Sequence, residues 1–156
     1  MIRRSIALTA ALLLVLATAP AALADEHGTH RPITGAMTGV MNFVPGDAAC
    51  PMYTVPDGGG TVSHLGLVWS HWSHCMPTHA DGHMVMTAAN GDQLFGEYTV
   101  PQIPFWVTIT GGTGRFADAS GGFLWSVRFW GPVDPATGMP INPWHFEGHL
   151  EGTISY

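Results

Sequence analysis

The sequence predicts an all-β, antiparallel domain whose sheet closes on itself, preceded by a short segment that does not belong to the fold. Three observations carry this. Twenty Gly and twelve Pro interrupt the chain so often that no long helical pattern survives beyond the first two dozen residues. Short apolar runs recur between turn signals, the spacing of a sandwich or a barrel. The last run alternates strictly, with Trp144, Phe146, Gly148, Leu150, Gly152, Ile154 and Tyr156 on one face. His145, Glu147, His149, Glu151, Thr153 and Ser155 take the other. A period of two held that long is a half-buried strand, and closing the sheet removes its exposed edge, which favours a barrel.

Residues 1–24 read as a cleavable export signal. Arg3 and Arg4 give a positive start, an apolar run follows, and Ala22-Leu23-Ala24 supplies small residues for cleavage. The run is too short for a bilayer span, which takes about 20 residues. The Arg pair could suggest twin-arginine export, but nothing else in the segment supports it. The domain proper is then residues 25–156, secreted or periplasmic. Three Arg (Arg31, Arg115, Arg128) stand against eleven acidic residues there, a formal charge of −8 with neutral His. Nucleic acid and anionic membrane surfaces are therefore not expected partners, since both are held by clustered Lys and Arg.

Residues 25–32 read as a loose lead-in and 33–44 as a first strand. Residues 45–60 read as a long loop with a short strand at 52–55, and 61–73 as a second long strand. Residues 75–82 form a loop. Strands at 83–89 and 93–100 flank Asn90-Gly91-Asp92, a strong hairpin signal. Strands at 105–110 and 122–130 follow, separated by Gly111-Gly112-Thr113-Gly114. Residues 131–143 are a Pro/Gly-rich loop before the final strand at 144–156. On that strand, Gly148 and Gly152 fall on the apolar face, where missing side chains allow a bend and leave expected space beside each glycine.

Cys50 and Cys75 are the two cysteines, and in an oxidising compartment an even count points to a disulfide. The bridge would contribute about 3 kcal/mol in the loop-entropy account. The alternative is Cys75 as a thiolate ligand or nucleophile. Nine His invite a metal reading. His145, Glu147 and His149 lie in a row on the polar face of the last strand, with Zn²⁺ or Cu²⁺ as candidate ions. Met76, Met84 and Met86 near His71, His74, His79 and His83 would suit copper. A single row cannot close round an ion without a neighbouring strand, and the plainer reading is a solvated face with Met in the core. No cofactor is required by any pattern.

Six Trp are spread over several strands. Most are expected in the core, and some could line a pocket for a flat apolar ligand. Trp69, Trp125, Trp144, Phe146 and Arg115 are the candidate ligand-binding residues. Arg115 has two readings, a surface salt bridge or cap on strand-end carbonyls, or a partner for a ligand carboxylate. The Gly111–Gly114 segment could cradle phosphate, but no helix or Lys follows, so a structural turn is the better reading.

The stretches Thr87 to Phe95, Ile109 to Gly121 and Glu151 to Tyr156 resemble a family of small secreted bacterial proteins similar to the allene oxide cyclase and dirigent barrels. The most specific element is Gly111-Gly112-Thr113-Gly114-Arg115-Phe116-Ala117-Asp118-Ala119-Ser120-Gly121. The resemblance covers residues 64–156. It implies an eight-stranded, up-and-down, calycin-like barrel with an apolar interior. Allene oxide cyclases isomerise a fatty-acid epoxide, dirigent proteins orient phenoxy radicals, and some bacterial relatives catalyse cyclisation. No catalytic residue of those families maps onto a motif here. The resulting expectation is a barrel that binds a small apolar or aromatic molecule inside. The rivals are an isomerase or cyclase using the same cavity, and a His-based metal binder. The exported protein should have an intact mass that lacks residues 1–24; a mass retaining them would overturn the export reading.

Overall fold

The computed structural model describes residues 29–76, 81–100 and 103–156. The export segment and part of the 75–82 loop, including His79, lie outside them. Eight antiparallel strands are present among the described residues: β1 (Arg31–Pro45), β2 (Met52–Val62), β3 (Gly66–Met76), β4 (Asp81–Ala88), β5 (Gln93–Thr99), β6 (Phe105–Gly112), β7 (Ser120–Trp130) and β8 (Trp144–Ser155). Each pairs with the next, and β8 returns to β1, so the barrel is closed and up-and-down. Both neighbours hold β8 along its length, from Trp144↔Met41 to Ile154↔Arg31 on one side and from His145↔Trp130 to Ser155↔Ser120 on the other. Closure leaves no edge for its long alternating pattern to expose.

Two expected elements are corrected. Residues 45–60 are mostly strand, and the single strand at 61–73 is two strands separated by a turn at 63–65. Pro56 and Gly58-Gly59-Gly60 looked like breakers because strands rarely carry them. Here β1 and β2 approach so closely that a Cβ on Gly60 would overlap the Ala36 carbonyl oxygen. The turn itself carries a weak signal. His64 makes it at φ +68°, the one non-glycine residue with positive φ among the described residues, and Gly66 follows at +74°. The expected hairpin at Asn90-Gly91 is present, with Gly91 N–H donating to Ala88 C=O at 2.9 Å.

The inward faces fill the two ends differently. At the end where β2 meets β3, which we call the floor, Ile33, Val62, Leu94, Phe123 and Ile154 are fully buried. A 3₁₀ turn, η1 (Gly114–Phe116), follows β6 and drives Phe116 into this end, also fully buried. Gly114 permits the turn with φ +58°. The Arg115 guanidinium lies 4.8 Å from the Phe116 ring centroid, donates to the His64 carbonyl and stands 3.8 Å from the Asp92 carboxylate. It thus joins three floor segments. At the opposite end, Cys50 and Cys75 form a disulfide with Cα atoms 5.6 Å apart. That bridge ties the β1–β2 loop to the end of β3 and fits an oxidising compartment.

The glycines of β8 do not leave the expected space. A Cβ on Gly148 would sit 2.7 Å from the Trp125 ring and 2.8 Å from the Ser126 carbonyl oxygen. The indole of Trp125 already occupies the place of the missing side chain. Gly148→Leu should therefore destabilise the protein by about 1–3 kcal/mol, read from urea unfolding, as overpacking does elsewhere. A variant as stable as the parent would mean that the ring has somewhere to go.

Candidate functional site

At the mouth, opposite the floor, the strand ends surround a cavity of about 410 Å³. Its walls are Met41 and Phe43 from β1, Thr54 and Pro56 from β2, Trp72, His74 and Met76 from β3, and Tyr98 from β5. Phe105, Trp125 and Phe129 come from β6 and β7, and Trp144 and Phe146 from β8. Val100, Ile103 and Pro140 complete the rim. Alternation explains the selection: even positions of β2, β3, β5 and β8 point inward, as do odd positions of β1, β6 and β7.

The aromatic rings support one another. Trp72 and Trp125 stack at 5.4 Å and 24°, and Tyr98 stacks on Phe105 at 4.9 Å and 24°. Phe129 and Phe146 meet at 6.3 Å. The loop that leads into β8 is fastened beside the mouth by Asn142, whose side chain accepts from Phe43 N–H and donates to Phe43 C=O, both at 2.8 Å. Trp144 Nε1–H donates to the Pro132 carbonyl at 2.9 Å, which satisfies the indole while its ring faces the cavity.

Three polar side chains interrupt this apolar wall. Thr54 Oγ1 lies 2.7 Å from His74 Nε2 and 3.0 Å from Nδ1. The Tyr98 hydroxyl lies 3.1 Å from His74 Nδ1 and 3.4 Å from the Ser73 carbonyl oxygen. Thr54 and Tyr98 are only 2% and 4% exposed. Burial holds the His74 imidazole below its ordinary 6.5 and pushes the Tyr98 phenol above its ordinary range. Both groups are thus neutral at pH 7. No Asp, Glu, Lys or Arg lines the cavity among the described residues.

Of the five residues proposed from sequence for ligand binding, Trp125, Trp144 and Phe146 line this cavity. Trp69 does not: it points outward from β3 and is 58% exposed, because β3 places its even positions inside. Arg115 does not either, since it stands at the floor in the structural role described above. Thr54, His74 and Tyr98 were not singled out as a site. Thr54 fell in the short strand read at 52–55, too brief to show which face it takes, and His74 was counted with its His neighbours rather than by strand parity.

The His145–Glu147–His149 row lies on the outer wall. Glu147 accepts from Arg128 Nε at 2.8 Å, and His145 stacks on Trp130 at 5.8 Å. The cross-strand partners of His149 are Ala36 and Ser126, which bring no third ligand. Among the described residues no group of three or more His, Cys, Asp or Glu converges. Met84 and Met86 are core residues, while His83 between strands β3 and β5 faces outward, 3.9 Å from Glu97. A shallow depression of about 550 Å³ crosses this outer wall at Arg128, Glu147 and His149.

No family model and no curated protein matches the sequence. Among solved structures the chain is similar to the pterocarpan synthase dirigent protein GePTS1, with 16% identity and a TM-score of 0.53 over 90% of this chain and 98% of that one. The pterocarpan synthase dirigent protein PsPTS1 is similar at 15% identity, with a TM-score of 0.48 over 84% and 98%. The likeness to GePTS1 is one of fold: the chain is a dirigent-like β-barrel.

The buried imidazole leads to a pH effect with a definite sign. Its folded-state pKa is depressed, so below the ordinary value the unfolded chain binds more protons than the native one. Stability from this group is complete above about pH 6.5 and is lost as pH falls through that value toward the folded pKa. The melting temperature should drop between about pH 7.5 and about pH 5.5, and His74→Gln should show a smaller drop. An equal drop in both proteins would overturn the assignment.

Proposed function

We propose that this barrel, acting after export, binds a small apolar or aromatic molecule in its mouth cavity. The observation that carries the reading is the lining itself: stacked aromatic rings around about 410 Å³, with three polar groups gathered on one wall. Ligand pockets have this composition, a mostly apolar surface with a few placed polar atoms. Trp125, Trp144 and Phe146 are the aromatic contacts common to the sequence reading and the cavity. Trp72 and Phe129 join them. Burial of a ring-sized ligand against these side chains supplies the affinity, and the polar wall supplies orientation.

A second reading is favoured by the same wall. His74, neutral and hydrogen-bonded to Thr54 and Tyr98, is a group that can accept and return a proton. An isomerisation or cyclisation of a hydrophobic substrate would need that, together with a cavity that holds the substrate in a reactive shape. GePTS1, a barrel of the same fold, carries the name of a synthase. Binding is the primary reading because, among the described residues, no carboxylate orients His74, and all three polar groups are engaged with one another.

Titration with the neutral dye N-phenyl-1-naphthylamine tests the cavity. Trp72, Trp125 and Trp144 line it, so tryptophan emission should be quenched saturably at micromolar dye. Val100→Trp places an indole at the rim and should weaken binding about tenfold with an unchanged circular dichroism spectrum. Absence of saturable quenching by the parent protein would remove both the carrier and the cavity-enzyme readings.

A further inference from the structure

We infer that the polar wall of the mouth cavity reads a hydrogen-bond donor on an uncharged ring ligand, and discriminates against ethers and carboxylates. This rests on the cavity-binding reading and names the ligand chemistry that the cavity selects.

Counting hydrogens on the wall carries the argument. Thr54, neutral His74 and Tyr98 bring three polar hydrogens: two hydroxyls and one ring N–H. Two proton arrangements use the 2.7 Å contact to Nε2, the shorter of the two that Thr54 Oγ1 makes to the ring. In the first, the Tyr98 hydroxyl donates to His74 Nδ1 at 3.1 Å, Nε2–H donates to Thr54 Oγ1 at 2.7 Å, and the Thr54 hydroxyl turns to the His74 carbonyl at 3.5 Å. In the second, the Thr54 hydroxyl donates to Nε2 at 2.7 Å, Nδ1–H donates to the Tyr98 oxygen at 3.1 Å, and the Tyr98 hydroxyl donates to the Ser73 carbonyl at 3.4 Å. Either way, each hydrogen has an acceptor inside the wall, the longest contacts being those to the backbone carbonyls, 3.5 Å from Thr54 and 3.4 Å from Tyr98. What remains are lone pairs on Thr54 Oγ1 and Tyr98 Oη. The wall therefore offers acceptors freely, and a donor only where a hydroxyl gives up its partner in the wall.

The rest of the cavity does not change that balance. Trp144 Nε1–H is committed to the Pro132 carbonyl. Trp72 Nε1 has no hydrogen-bond partner among the described residues, but the atom is covered by protein, so it offers no hydrogen to the cavity. The remaining lining residues carry no polar side chain. A ligand hydroxyl or N–H finds an acceptor here. An ether oxygen, which can only accept, is buried against other acceptors and loses its hydrogen bond to water. A carboxylate fares worse, because no cationic side chain lines the cavity among the described residues to offset its charge.

Calorimetric binding of three ring probes to the full barrel tests this. Indole carries one N–H donor and no charge. Benzofuran replaces that N–H by an ether oxygen in the same ring frame. Indole-3-carboxylate adds an anionic group. Indole should bind about fivefold or more tightly than benzofuran, although benzofuran is the less polar molecule. Indole-3-carboxylate should bind at least about tenfold more weakly than indole. The triple variant Thr54→Val/His74→Leu/Tyr98→Phe makes the wall apolar at similar shape. It should bind benzofuran at least as well as indole, with its fold checked by circular dichroism and thermal melting. Equal or tighter binding of benzofuran by the parent protein overturns the donor-reading wall and leaves the cavity reading standing. Equal binding of indole-3-carboxylate overturns the exclusion of charge. If the naphthylamine dye binds and none of the three probes does, this inference falls alone. If the dye fails as well, both readings fall.

Discussion

Room for rings is the constraint on which this barrel depends. Eight strands enclose an interior only just wide enough to fill with side chains or hold one small ligand. A large ring on one strand therefore requires a missing side chain on another. Trp125 lies against Gly148, Phe146 against Gly39 and Gly58, and the Tyr98 ring against Gly82. These pairs cross between strands, so each ring also reports the register of its neighbour. The glycines near the mouth are thus the complement of the aromatic cluster rather than sites of slack.

The same pairing accounts for the difference between the two ends. At the floor the aliphatic side chains, Phe116 and Phe123 are fully buried. Toward the mouth, rings stand on glycines and lean on one another, and flat rings leave a gap that branched aliphatic chains would fill. The polar trio belongs to this architecture. Tyr98 reaches His74 because its ring is seated over Gly82 and braced by Phe105. A buried hydroxyl and imidazole held so firmly are satisfied mainly by each other, which is how a small apolar interior tolerates them.

Strand parity was readable where alternation is long, and less so elsewhere. The β8 pattern gave its inward and outward faces correctly, so Trp144 and Phe146 were placed inside and His145, Glu147 and His149 on the other face. The Asn90-Gly91 turn and the Gly-rich turn after β6 were equally plain, because each has a chemical signature. The β2–β3 turn was not, since His64 takes its positive-φ position and a lone His marks a turn far less clearly than Asn-Gly does. Missing that turn joined the end of β2 to β3 and left the rest of β2 as a short strand in a loop, in which the inward face of Thr54 could not be read. Trp69 was misplaced for a related reason: a Trp carries no mark of which face it takes, and on β3 the polar Ser70 and His74 face inward while Trp69 faces out. Arg115 takes the first of its two sequence readings, an ion pair and a carbonyl cap rather than a ligand partner, although its partners His64 and Asp92 are brought near only by the closed fold.

Closure of the barrel through β1 and β8 also decides where the two ends of the domain emerge. Arg31 pairs with Ile154, and Gly35 of β1 with Val62 at the β2–β3 turn, so the start of β1 and the finish of β8 both lie at the floor. The mouth is at the far end of every strand. An attachment made to this domain from either direction, whether a tether, a fused neighbour or an immobilising tag, would hold it floor-down and leave the mouth turned toward solution. Orientation is thereby built into the connectivity, independent of what the attachment is.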